Sequence, residues 1–364
     1  TFIAKLKTVK ANLPKVMRTL INQIGRVVIV ILGYKAVALA SWNLFAAIST
    51  LPLIVMMLKK LKWGPWDGTL AKQYIKYALP LVLYMIVGLL TTQTDQLLLQ
   101  YYSNSTELGF YSAAFSLGGL ILIFGNSMGQ LFFPLFSSYI SNNDWDNVND
   151  KINKFHEFIG IFILPFVFLL VLLAEPIIIT VLGKTYQPSI IPFVLLVIAS
   201  FVRIWIMPFG NVITGKGKFY LFSLITFFVF LFFIPSVFIF IAPKFLGLGA
   251  IGLACNKLAV ILFQGILFII AAKRIGNIYL SIRNLYIIGL IILIGTGFYF
   301  VIPYFQSITF LWWLIVGPLF LTIVYGLLFL TKLMNKESIQ QLISVTNIKV
   351  LKKYIKDELS DKGK

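Results

Sequence analysis

Residues 79–117, LPLVLYMIVGLLTTQTDQLLLQYYSNSTELGFYSAAFSL, decide the fold. The first half is an apolar run long enough to cross a bilayer, and it carries Thr91, Thr92, Gln93, Asp95 and Gln96 toward its end. A polar turn follows, Ser103 to Glu107, and a second apolar run opens with Gly109, Ser112, Ala113 and Ala114. Two runs joined by so short a turn make an antiparallel membrane hairpin. A charge at the bilayer centre costs at least ~2.5–3.5 kcal/mol, so Asp95 reads as a functional residue, a cavity group or an ion-pair partner. At 100° per residue the polar side chains around it fill an arc of roughly 200°, too wide to face lipid.

Outward from the hairpin the same pattern recurs. The chain has 364 residues, 59% hydrophobic and 12% charged, against about 25% charged in a soluble domain. A span needs about 20 apolar residues. Ten segments qualify: 16–34, 36–58, 77–101, 108–139, 158–182, 188–214, 219–242, 248–272, 284–304 and 308–331. The expected fold is therefore all-α, a polytopic helical membrane protein of about ten transmembrane helices. Charge in the connectors agrees. Of 31 lysines and arginines, 25 fall in the stretch to Arg18, in 59–76, 140–157, 216–218 and 273–283, and after residue 331. Three, Lys35, Lys184 and Lys244, fall in the alternate connectors. By the positive-inside rule this places both ends on the cytoplasmic side of the cell (plasma) inner membrane.

The net charge of +19 follows from those connectors, and no basic domain stands apart from the spans, so a nucleic-acid partner is excluded. One cysteine, Cys255, and one histidine, His156, provide neither a disulfide framework nor a metal cluster. Asp144, Asp146 and Asp150 in the loop 140–157 lack the glycine and terminal glutamate of a calcium loop. That loop reads as an amphipathic connecting helix, with His156 at the interface. No phosphate-cradling GxxxxGK[ST] loop is present, so no nucleotide or other cofactor is expected.

Four charges remain at membrane depth: Arg26, Arg203 and Lys257, with Asp95 as the single anion. If the three cations face one chamber, their natural partner is an anionic ligand, since guanidinium and ammonium groups match phosphate oxygens. The other reading is that each bonds backbone carbonyls in a packed interface. Gln93, Gln96, Asn126, Gln130 and Asn256 are the further residues expected to line such a cavity. Small and amide residues also serve as packing contacts between membrane helices, and Gly249, Gly252 and Asn256 share a face suited to that.

The segments TDQLLL (94–99), ELGFYSAAFSL (107–117) and AEP…LGKTYQPS (174–189) resemble helix turns of prokaryotic polysaccharide flippases. These Wzx-like, O-antigen-type proteins belong to the multidrug/oligosaccharidyl-lipid/polysaccharide (MOP/MATE-like) exporter superfamily. The resemblance implies two six-helix lobes with an added helix pair and a bundle lacking its first helices, the first residue here being Thr1. Residues 1–58 would complete an N-terminal lobe, 59–76 connect the lobes, 77–272 form the C-terminal lobe, 284–331 the added pair, and 332–364 a basic amphipathic cytoplasmic tail. The implied activity is flipping of a polyprenyl-(pyro)phosphate-linked oligosaccharide from inner to outer leaflet by alternating access, for surface polysaccharide biosynthesis. Arg26, Arg203 and Lys257 would hold the anionic head group, and Asp95 would couple or gate. Implied partners are the lipid-linked oligosaccharide, the bilayer and glycan polymerase or ligase machinery, with a monomeric protein. A non-enzymatic transporter is implied. The alternatives are a cation or drug antiporter of the same fold, disfavoured by the cationic excess, and a membrane-embedded polymerase or ligase, disfavoured by short outer loops.

Overall fold

A computed structural model describes residues 8–34, 36–52, 55–56, 67–123, 125–126, 129, 139–301 and 313–334. Gln130, residues 57–66 of the connector and the tail from residue 335 lie outside the described residues. The chain divides into two compact units between Ala71 and Lys72.

The first unit holds α1 (Thr8–Ile31) and α2 (Ala36–Ile48), which pack on each other. Gly25 makes the approach possible, because a Cβ there would stand 1.8 Å from the Trp42 ring. The Trp42 indole N–H donates to the Ile21 carbonyl at 3.2 Å. The hydrophobic effect gives helices in lipid little reason to associate, so close packing and bonds of this kind must do it.

The second unit contains α3 (Gly68–Tyr102, entering from the first unit), α4 (Ser105–Gly118), α5 (Trp145–Phe158), α6 (Leu164–Leu172), α7 (Ala174–Leu182), α8 (Ile190–Gly215), α9 (Phe219–Ile241), α10 (Gly249–Gly276), α11 (Ile282–Val301) and α12 (Trp313–Leu330). Each of the ten expected spans contains described helical residues. Five segments are long and apolar enough to cross a membrane, among them Lys184–Gly215, Phe219–Ile241 and Gly249–Gly276.

The core is built on α10, which packs along α8 and α9. Gly252 brings α9 in so closely that a Cβ would meet the Phe240 carbonyl at 2.4 Å. The pair α11–α12 belongs to the same unit. Ile287, Ile291, Phe320 and Val324 form a second apolar cluster with Ile161 and Leu164.

Contacts group three of the basic connectors, 140–157, 216–218 and 273–283, at one end of the second unit. Lys216 donates to Asn143 and lies over the Trp145 ring. Asn149 and Asn153 accept the backbone N–H groups of Tyr279 and Ser281, and Arg283 pairs with Glu157 at 3.1 Å. At the other end Glu107 accepts the Ala250 N–H at 2.8 Å, and Phe110 meets Tyr186 edge-on.

The connecting segment 140–157 differs from expectation at one point. It is helical over α5, but it passes through a π-helical turn, Ile159–Ile163, directly into α6. Its apolar face (Val148, Ile152, Phe155) is fully buried. His156 is therefore not interfacial: it is 1% exposed, stacks on Trp205 at 4.1 Å, and its Nε2 lies 3.0 Å from the Trp205 carbonyl oxygen.

Candidate functional site

The polar residues of the second unit form two separate arrangements. The first joins α3 to α10. Lys257 Nζ donates to Asp95 Oδ2 at 3.2 Å, with side-chain exposures of 17% and 3%. Asp95 Oδ1 has no hydrogen-bond partner among the described residues. The expected polar arc on α3 thus splits. Asp95 turns inward, Gln96 is half-buried and Gln93 is exposed. Thr91 bonds back to the Val87 carbonyl, which satisfies its hydroxyl within the helix.

The second arrangement is a cavity of about 260 Å³ that includes Tyr84, Asn126, Arg203, Asn211, Phe222 and Gln264 in its wall. Most of the wall comes from one face of α8. Arg203, Ile206, Met207, Gly210, Asn211 and Thr214 recur at helical spacing, three and four residues apart. Pro208 lies within that helix, beside the cavity-lining Met207, and has no N–H to return to the Ile204 carbonyl. Gly210 leaves room for aromatic rings. A Cβ there would stand 3.2 Å from Phe268, which stacks on Phe222 at 5.2 Å. Tyr84 meets Phe222 edge-on at 5.1 Å.

Arg203 is exposed and has no hydrogen bond or ion pair among the described residues, although it lies within α8 near the middle of a segment long enough to span a membrane. An unmatched guanidinium at that depth requires water or an anion. Of the residues singled out in the sequence, the cavity brings together Arg203 and Asn126. It also contains Asn211, Thr214 and Gln264, which the sequence reading did not select. For Asn211 and Thr214 the signal was present, as both lie on the Arg203 face of one helix. For Gln264 no local signal existed.

The other selected residues lie elsewhere. Lys257 is matched by Asp95, not left as a free cation. Arg26 belongs to the first unit, where its Nη2 donates to Asn43 Oδ1 at 2.9 Å. Asn256 is 1% exposed and accepts the Ser236 hydroxyl at 2.6 Å, in the contact between α9 and α10 and not on the wall of this cavity.

These features define a polytopic helical membrane protein whose larger helical unit carries a half-open cavity of mixed polar and apolar lining. The chain belongs to the polysaccharide biosynthesis protein family, whose model matches residues 5–191, a little over half its length. Among solved structures it is similar to the lipid II flippase MurJ in an inward closed conformation. The TM-score is 0.68 at 18% identity, covering 92% of this chain and 72% of that one. The two share a fold. No curated protein matches the sequence.

Proposed function

We propose that the protein flips a polyprenyl-(pyro)phosphate-linked oligosaccharide from the inner to the outer leaflet of the plasma membrane by alternating access. The observation that carries this reading is the cavity around Arg203, a cation at membrane depth with no protein anion against it among the described residues. A phosphate head group supplies the missing charge and accepts a forked pair of guanidinium N–H bonds. Membership of the polysaccharide biosynthesis family and the fold shared with a lipid II flippase support the same class of cargo. In this reading both ends of the chain face the cytoplasm, which the excess of lysine and arginine in the alternate connectors supports.

In this reading Arg203 holds the head group, Asn126 lines its chamber, and Asp95 with Lys257 forms a gate whose ion pair breaks and re-forms between states. Arg26, which donates to Asn43 Oδ1 in the first unit, is a further cation for the anionic head group in this reading. The protein acts as a transporter and makes no covalent change in its cargo. An antiporter for cations would need free acids at depth, and Asp95 is already engaged by Lys257.

The test is surface polysaccharide display by cells carrying Arg203→Ala in the intact protein. Display falls while the amount of protein in the membrane stays at the wild-type level. Normal display removes Arg203 from the cargo path.

A further inference from the structure

Three segments long and apolar enough to cross a membrane stop at one place in the second unit. Lys184–Gly215 ends one residue before Lys216, Phe219–Ile241 begins one residue after Lys218, and Gly249–Gly276 ends against Trp145, the first residue of α5. The packing there is close. A Cβ on Gly276 would stand 2.1 Å from the Trp145 ring, and one on Gly215 would stand 2.9 Å from Ile140. Lys216 donates to Asn143, and its Nζ lies 5.5 Å from the centre of the Trp145 ring. Span ends that meet beside an indole mark the boundary between hydrocarbon and head groups, where tryptophan is favoured.

Cations gather at that boundary. Lys273 lies three residues before Gly276 in the last turn of α10, so it shares the face that meets Trp145, and Arg274 follows it. Lys218 is two residues from Lys216. Lys218, Lys273 and Arg274 are exposed, and none of the four cations has an ion pair among the described residues. α9 starts at Phe219 with no side-chain cap, so the positive end of its dipole faces the same turn. The acids flanking Trp145 are Asp144, which caps α5 through the Asn147 N–H, and the exposed Asp146. Against four cations they leave two positive charges in excess. Lys151 and Lys154, further along α5, are by contrast already paired with Asp150 at 3.3 and 3.1 Å. Below the cations an apolar stripe runs down α9, with Tyr220, Phe227 and Leu231 exposed on one face. A free phosphate or an acidic peptide would use the cations and leave that stripe unmatched. A phospholipid uses both.

We propose that Trp145, Lys216, Lys218, Lys273 and Arg274 form a binding site for an anionic phospholipid of the cytoplasmic leaflet, its phosphate held between the α8–α9 turn and the end of α10 and an acyl chain lying along α9. A scattered excess of basic residues gives only a diffuse attraction to the leaflet. Here the cations are collected around one fixed ring by three packed helix ends. The inference rests on the sidedness given above and not on the choice of cargo.

The test counts lipid bound to the intact protein in detergent by native mass spectrometry, titrating with phosphatidylglycerol and with phosphatidylcholine. The wild type binds the first phosphatidylglycerol about tenfold more tightly than phosphatidylcholine. Each cation near the leaflet is worth about fivefold, so Lys216→Gln/Lys273→Gln removes most of that preference. Lys218→Gln/Arg274→Gln changes only exposed side chains, has the same effect, and decides the matter if the first pair does not fold. Lys151→Gln/Lys154→Gln removes as much charge from α5 and changes the preference less than twofold. Equal binding of the two lipids by the wild type, or an unchanged preference in the site variants, overturns the site. Equal losses in the site variants and in Lys151→Gln/Lys154→Gln also overturn it, since the attraction is then diffuse. Arg203→Gln leaves the phosphatidylglycerol preference intact. Failure here therefore does not touch the head-group reading, which is judged by surface polysaccharide display.

Discussion

Lys257 and Arg203 are two cations on neighbouring helices of one unit, and the protein treats them in opposite ways. Lys257 reaches Asp95 at 3.2 Å and the pair is largely enclosed. Arg203 opens on a cavity lined by amides and aromatic rings, with no anion against it among the described residues. A buried charge matched inside the protein needs no guest. A charge left unmatched at the same kind of depth is stable only with water or a ligand. Under the proposed function, the difference separates a lysine whose ion pair joins α3 to α10 in this state from an arginine left free to meet the cargo.

Substitutions at the two cations have opposite expected effects. Lys257→Ala strands the Asp95 carboxylate and lowers stability by about 3–5 kcal/mol, read as a drop in the midpoint of thermal unfolding in detergent. Combining Asp95→Asn with Lys257→Met removes both charges and recovers most of that loss. If Lys257→Ala unfolds like the wild type, the pair is not a structural tie. Arg203→Ala does the reverse. Stability is unchanged within about 0.5 kcal/mol, while affinity for a polyprenyl phosphate falls about 10- to 100-fold, the worth of a charge-assisted hydrogen bond.

A smaller effect is expected at Glu107, whose carboxylate accepts the Ala250 N–H at the first turn of α10. Glu107→Ala removes a cap and a charge favourable to the helix dipole, costing about 1 kcal/mol in the same unfolding experiment. Smallest is Gly210→Ala, which pushes a methyl group against Phe268 and Phe222. The rings give by a few tenths of an ångström. Affinity for a polyprenyl phosphate falls about twofold with little change in stability, and an unchanged affinity would place the aromatic wall outside the binding volume.

The helices were legible because hydropathy and length are properties of contiguous residues. The hairpin at 79–117, the π-interrupted α5–α6 segment and the three helices of the core all show as apolar runs. The grouping of connectors was legible in their basic charge: the contacts of Lys216 with Asn143 and of Asn153 with Ser281 bring together 140–157, 216–218 and 273–283, as the charge pattern does. Pairing was not legible. Asp95 and Lys257 lie 162 positions apart, and nothing local says that this lysine rather than Arg203 meets the one anion. His156 misled for a related reason. A polar stretch looks solvated in sequence, yet one face of α5 is apolar and that face carries the imidazole into the contact with Trp205. Asn256 looked like a cavity residue on polarity alone, but small residues around it let α9 come close enough for Ser236 to take it.

Under the proposed function the cargo's negative charge meets Arg203 and not Lys257. Binding of polyprenyl phosphate to the intact protein, compared between Arg203→Gln and the charge-free Asp95→Asn/Lys257→Met pair, tests it directly. A loss of about tenfold or more in Arg203→Gln, with near wild-type affinity in the double variant, is the predicted result. Wild-type affinity in Arg203→Gln together with a loss in the double variant would contradict it.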